Sequence, residues 1–99
     1  KIPVLIVVCY EVPERMKEEL VLGSAWCAIE NVLLAATAES LGSCIYTFYD
    51  VEEKNMLKEM LRVPERYRIA AVIQLGYSAA EPPAPSRKTL DEIVSYQHF

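Results

Sequence analysis

The sequence predicts an α/β domain in which helices cover a small sheet, and three observations carry that prediction. Residues 2–10 are a continuous apolar run rich in Val and Ile, and residues 68–77 are apolar after Arg68 except at Gln74, the pattern of buried strands. Between them, residues 24–41 form an Ala-rich stretch that is apolar around most of its circumference, as a helix packed into a core is. A further capped stretch over 51–61 keeps helix and strand signals alternating along the chain, which is layered architecture.

Taken in order, the run at 2–10 is broken by Val12, Pro13 and Glu14. Residues 14–20, "ERMKEEL", read as a short solvated helix or a loop. The helix over 24–41 is stopped by Gly42, the residue type that tolerates the left-handed conformation beyond a helix end. Its Ala positions permit close packing, and Trp26 reads as core or interface filling. Residues 44–48 read as a second strand. Asp50 then caps a helix over 51–61, with Glu53 placed to complete a capping box and Pro64 closing the segment. After the strand at 68–77, residues 78–86 form an extended connector rich in Pro, Ala and Ser. Thr89 and Glu92 make a second capping box, opening a helix over 90–97.

The chain has 99 residues, room for one domain, and 53% of them are hydrophobic. That is more apolar material than so short a domain buries alone, which predicts that further protein covers part of its surface. It opens "KIPVLIVVCY", directly into a strand, and is expected to be a piece of a longer protein. The opening run ends in Cys9, Tyr10 and Glu11 without the small-residue pattern of a cleaved signal peptide. No stretch approaches ~18 uninterrupted apolar residues, so no membrane partner is expected. A net charge of −4, with the cations not gathered in a stripe, argues against nucleic acid. Cys9, Cys27 and Cys44 fit no zinc spacing and predict buried free thiols in a reducing, cytoplasmic setting.

Side chains able to carry a reaction are scarce. His98 is the single histidine and lies beside the last residue, so no Ser-His-Asp or Cys-His set can be assembled around it. Neither a G-x-G-x-x-G run nor a P-loop is present, and no metal site is expected. Chemistry in such a chain would belong to a cofactor. One feature stands out in "PPAPSRKTLDEIV": Arg87 and Lys88 directly precede a helix start, where the backbone already presents partial positive charge. Either water screens the pair, or an anion belongs there. A guanidinium matches a phosphate with two parallel hydrogen bonds, and helix N–H groups can add to them.

The ordered series of motifs resembles the C-terminal half of the FMN-dependent nitroreductase family. An Ala-rich helix with Asn31 and residues 33–36 ends in Leu41-Gly42, and a short strand follows. Then come a helix ending Leu61 to Pro64, an apolar strand closing in Leu75-Gly76-Tyr77, a Pro-rich run, and Arg87 before a Leu-x-Glu helix. The match covers nearly all of residues 2–96.

The resemblance implies a three-layer α+β sandwich with a mixed, largely antiparallel sheet, of which residues 1–99 are an incomplete, C-terminal portion. Local β-α-β rules alone would make neighbouring strands parallel. It implies FMN as cofactor, NAD(P)H as electron donor and a nitroaromatic, quinone or similar acceptor. Arg87 is implied to contact the FMN phosphate, with Lys88 beside it, while Thr47, Phe48 and Tyr49 line the flavin ring. Where the family shows a small residue, a Gly or a Gly-neighbouring acid around positions 48–50, this chain has Phe48, Tyr49 and Asp50. The family's N-terminal half, with an Arg-rich phosphate motif, has no counterpart here. Its members are intertwined homodimers with flavin at the interface, which would account for the apolar surplus. No catalytic side chain is implied. The alternative is a non-catalytic α/β module that binds a partner through its apolar surface; a minor third reading is a nucleotide-sensing domain.

Overall fold

The computed structural model describes residues 2–48 and 50–99. Among the described residues strands and helices alternate: β1 (Val4–Glu11), α1 (Glu18–Ala38), β2 (Gly42–Tyr46), α2 (Val51–Met60), β3 (Tyr67–Gly76) and α3 (Leu90–Ile93). The sheet order is β1-β3-β2, and both ladders are antiparallel. β1 and β2 therefore run parallel to one another with β3 inserted between them. That is a split β-α-β unit, in which α1 crosses over without making its two strands neighbours. Among the described residues the ladders are the antiparallel ones implied by the resemblance, not the parallel ones of the local rule.

Register sorts the side chains onto two faces. Val8 opposite Ala71, Ile6 opposite Ile73 and Ile45 opposite Ile73 share the face covered by α1. There Ile29 of α1, 1% exposed, packs on Ala71 and Ile73, each 0% exposed, with Val8, Trp26, Val32, Leu33 and Ile45 around them. Trp26 is thus core filling. Val7 and Tyr46 opposite Val72, and Leu5 and Cys44 opposite Gln74, lie on the other face, where α2 sits. Helices on both sides of the sheet make three layers.

An irregularity between Val8 and Cys9 leaves Ala70 of β3 without an opposite residue. Such a bulge shifts the alternation of one strand by one residue. Beyond it Arg68, not Ile69, stands opposite Tyr10 on the α1 face. Both reach Glu18 in the first turn of α1: the Tyr10 hydroxyl donates to Glu18 Oε1 at 2.8 Å, and the Arg68 guanidinium pairs with the same carboxylate. The bulge thereby lets two strands and the helix start be tied together.

Several boundaries depart from expectation. α1 begins at Glu18, not residue 24, because Ser24 stays within the helix by donating its hydroxyl to the Leu20 carbonyl at 3.2 Å. Glu18 and Glu19 also suit the positive end of the helix. The helix ends before Gly42: Ser40 takes the left-handed conformation, φ 60°, and the Leu41 N–H donates to the Ala36 carbonyl at 2.8 Å. Gly42 instead opens β2, where a Cβ would collide with Ser78 Oγ and press within 3.4 Å of the Gly76 carbonyl. α2 closes in the same way, with Arg62 at φ 54° and the Val63 N–H donating to the Lys58 carbonyl at 2.9 Å. Its Asp50 cap holds, accepting from the Glu53 N–H at 2.7 Å.

Burial is lighter than the apolar patterns predict. β1 is an edge strand with Leu5 60% exposed, not a strand shielded on both faces. Only Ile29 and Ala36 of α1 are buried, because one side of the helix meets the sheet while residues such as Leu20 and Leu34 stay exposed. α1 also has the length and composition of a bilayer-crossing helix, but its contacts are with the sheet. Cys9, Cys27 and Cys44 are free and exposed, against the expectation of buried thiols, since each lies on a surface this chain leaves uncovered.

Ile73→Ala is expected to cost about 2–5 kcal/mol in urea unfolding, while Leu5→Ala in this chain costs a small fraction of that. The Glu18 carboxyl is held below its ordinary range, first by the Arg68 hydrogen bond and then by the Tyr10 hydroxyl. A lowered folded-state value stabilises above the unfolded pKa and is lost as pH falls through the folded one. Glu18→Gln should therefore lower Tm slightly at pH 7, with the gap to the parent closing below roughly pH 4.3. A gap constant from pH 3 to 7 would show that the ion pair contributes nothing.

Candidate functional site

The end of β2 leads straight into two of the residues singled out from the sequence. Thr47 is exposed, and Phe48 is half-buried. Tyr49, the third, lies outside the described residues. The Phe48 ring meets Tyr46 edge-on, with centroids 5.5 Å apart and planes at 85°. Lys54 of α2 brings its Nζ to 5.9 Å from the same ring centroid. Aromatic edge contacts and cations over ring faces are each worth about 0.5–1 kcal/mol at partly exposed sites. The conformation of Phe48 is thus set by its neighbours on both sides.

Tyr46 and Phe48, though not Thr47 or Lys54, line an open groove of 380 Å³ between α2 and the sheet face turned away from α1. Leu5, Val7 and Val72 form its floor, Met56 and Met60 its helical wall, and Tyr46, Phe48 and Glu53 one end. Met60 is 75% exposed, so the groove is apolar and largely uncovered. Two feature types that sequence patterns single out poorly meet here. Glu53 reads as a capping residue, yet its carboxylate accepts the Tyr46 hydroxyl. Lys54 reads as a solvated charge; its approach to Phe48 needs the three-dimensional turn between β2 and α2.

Arg87 and Lys88 sit in an exposed segment without regular secondary structure. Among the described residues no acidic group pairs with either of them, and no hydrogen bond or ring contact joins them to Thr47 or Phe48. The helix expected over 90–97 is one turn, Leu90–Ile93, and Val94 is already extended. Its start is occupied: Glu92 Oε2 accepts from the Thr89 N–H at 2.7 Å and from the Thr89 hydroxyl at 3.1 Å. The capping box is present, but so short a helix, capped by its own carboxylate, adds little to an anion site. The two side chains alone carry the positive charge.

Among the described residues, the reactive group with a shifted pKa that lies nearest to nucleophile chemistry is Cys9. Although Cys9 is exposed, partial desolvation by its neighbours pushes its thiol up, with Lys58 offsetting only part of the effect, which is the reverse of an activated thiolate. Among the described residues no group of His, Cys, Asp and Glu is arranged to hold a metal ion.

Residues 1–77 match the family model for the nitroreductase family. A Haemophilus influenzae protein bearing the name NAD(P)H nitroreductase is 33% identical over 79 residues, covering 72% of this chain and 36% of that protein. The structure of an FMN-dependent nitroreductase from Clostridium difficile R20291 superposes with a TM-score of 0.76 at 28% identity, over 98% of this chain and 58% of that one. Iodotyrosine deiodinase, in a structure with FMN and 3-iodo-L-tyrosine, superposes at 0.78 with 26% identity, over 99% of this chain and 48% of its own. The chain thus spans between about a third and three fifths of these relatives, an incomplete part of their fold. With the split β-α-β sheet, the capped α2 and the matched motifs in agreement, the chain belongs to the nitroreductase family.

Proposed function

We propose that residues 1–99 are the C-terminal portion of a single nitroreductase-like domain, and that the whole protein is an FMN-dependent oxidoreductase. It would pass electrons from NAD(P)H to a nitroaromatic, a quinone or a similar acceptor. The observation that carries the cofactor is the pair Arg87 and Lys88, two adjacent exposed cations with no anionic partner among the described residues. An unpaired guanidinium beside an ammonium suits a phosphate dianion. The apolar groove at the end of β2 suits a planar ring system.

Bound FMN would supply the redox chemistry, accepting a hydride and releasing electrons to the acceptor. This chain's own residues bind and orient. Arg87 offers two parallel N–H donors to a phosphate, and Lys88 adds a point charge. Thr47, Phe48 and Tyr49 flank the ring, with Phe48 presenting a fixed apolar wall. No side chain is assigned a proton transfer. The exposed Leu20 and Leu34 of α1, which do not line the groove, suit burial against further protein, and a homodimer belongs to this reading. The second reading, a partner-binding module without flavin, is favoured by one observation: Phe48-Tyr49-Asp50 stands where the resemblance calls for a small residue, a Gly or a Gly-neighbouring acid.

Arg87→Ala in the full-length protein is expected to weaken FMN binding by about 1.5–3 kcal/mol, roughly 10- to 150-fold, read by flavin fluorescence titration. Lys88→Ala should cost less, because it removes charge without removing a bidentate contact. An Arg87→Ala affinity equal to the parent's would remove Arg87 from the site. Purified full-length protein without visible flavin bands, and unable to take up FMN, would favour the module.

A further inference from the structure

We propose that Glu53 is a positioning residue for the strand end that flanks the flavin, acting through Tyr46. This rests on the reading of Thr47 and Phe48 as flavin-lining residues. Glu53 is the third residue of α2, and its backbone N–H is already held by Asp50 Oδ1 at 2.7 Å. The helix start is therefore fixed without its side chain. In a full capping box that carboxylate would turn back to the N-cap backbone; here it accepts the Tyr46 hydroxyl across the β2–α2 turn.

Tyr46 is the last residue of β2, directly before Thr47 and Phe48, and its ring supports Phe48 edge-on at 5.5 Å. The next residue of α2, Lys54, approaches the Phe48 ring at 5.9 Å. Consecutive residues of one helical turn thus hold the two aromatics that bracket Thr47. Tyr46, Phe48 and Glu53 all line the same groove, so the brace lies at the proposed site. Glu53 touches no flavin atom in this scheme; it fixes where Phe48 stands.

The test uses full-length protein stripped of flavin and titrated with FMN. Glu53→Ala should raise the FMN Kd roughly three- to tenfold, and Tyr46→Phe by a similar factor. The double variant should be no weaker than either single one, because both remove the same hydrogen bond. Glu53→Gln, whose amide oxygen still accepts the Tyr46 hydroxyl, should bind FMN within twofold of the parent. The visible band of bound flavin should shift in Glu53→Ala and not in Glu53→Gln. Unchanged Kd and spectrum in Glu53→Ala, with the parent binding FMN, would overturn the positioning role, as would independent, additive losses from the two single variants. A parent that binds no FMN at all would overturn the flavin reading itself, and the positioning role with it.

Discussion

The structure depends on β3 being hydrogen-bonded along both edges. It is the strand whose residues are most completely buried, with Ile69, Ala71 and Ile73 fully inside, and every other element is located relative to it. β1 and β2 each use one edge of β3, α1 rests on its Ala71 and Ile73, and the apolar groove is floored by its Val72. An unpaired backbone group at this depth would cost as much as a lost hydrogen bond. The two antiparallel ladders remove that cost on both sides. The bulge at Ala70 then turns Arg68 toward Glu18 without giving up the ladder.

The antiparallel sheet and the β-α-β order are compatible because the crossover is split. Local rules correctly say that β1-α1-β2 returns the chain in the same direction. They say nothing about whether another strand is inserted between, since that depends on residues 67–76, far along the chain. This is why the element order was legible from apolar periodicity while the sheet topology required the family resemblance. Helix ends were the least legible. Ser40 and Arg62 adopt left-handed conformations that glycine usually fills, so Gly42 drew the boundary that Ser40 sets. Gly42 is needed for a different reason, the close approach of the segment at Ser78.

Burial was misread in one direction only. Residues 2–10 and 24–41 carry the patterns of fully shielded elements, yet β1 is an exposed edge strand and α1 buries a single side. Patterning records what a segment meets in its whole fold, whereas these residues span only part of the length of the relatives they match. The same explanation serves the exposed cysteines and the uncovered groove of Leu5, Met56 and Met60. An apolar surplus over what 99 residues can bury was readable from composition alone. Which faces carry that surplus was not, because face assignment follows from register.

The candidate site was legible where chemistry is carried by residue type and opaque where it is carried by turn geometry. Arg87 and Lys88 were conspicuous as cations at a helix start, and the structure changes the reason they are conspicuous. The helix is a single turn whose end is taken by Glu92, so neither a strong dipole nor free N–H groups explain the pair. What remains is two solvated cations that Glu92, committed to Thr89 at 2.7 and 3.1 Å, is poorly placed to neutralise. Self-capping keeps the Glu92 carboxylate occupied, and among the described residues neither Arg87 nor Lys88 has an ion-pair partner. The β2–α2 turn shows the converse: Asp50 takes over the cap, which releases the Glu53 carboxylate to brace Tyr46. In both places one capping interaction decides what a neighbouring charged side chain is free to do.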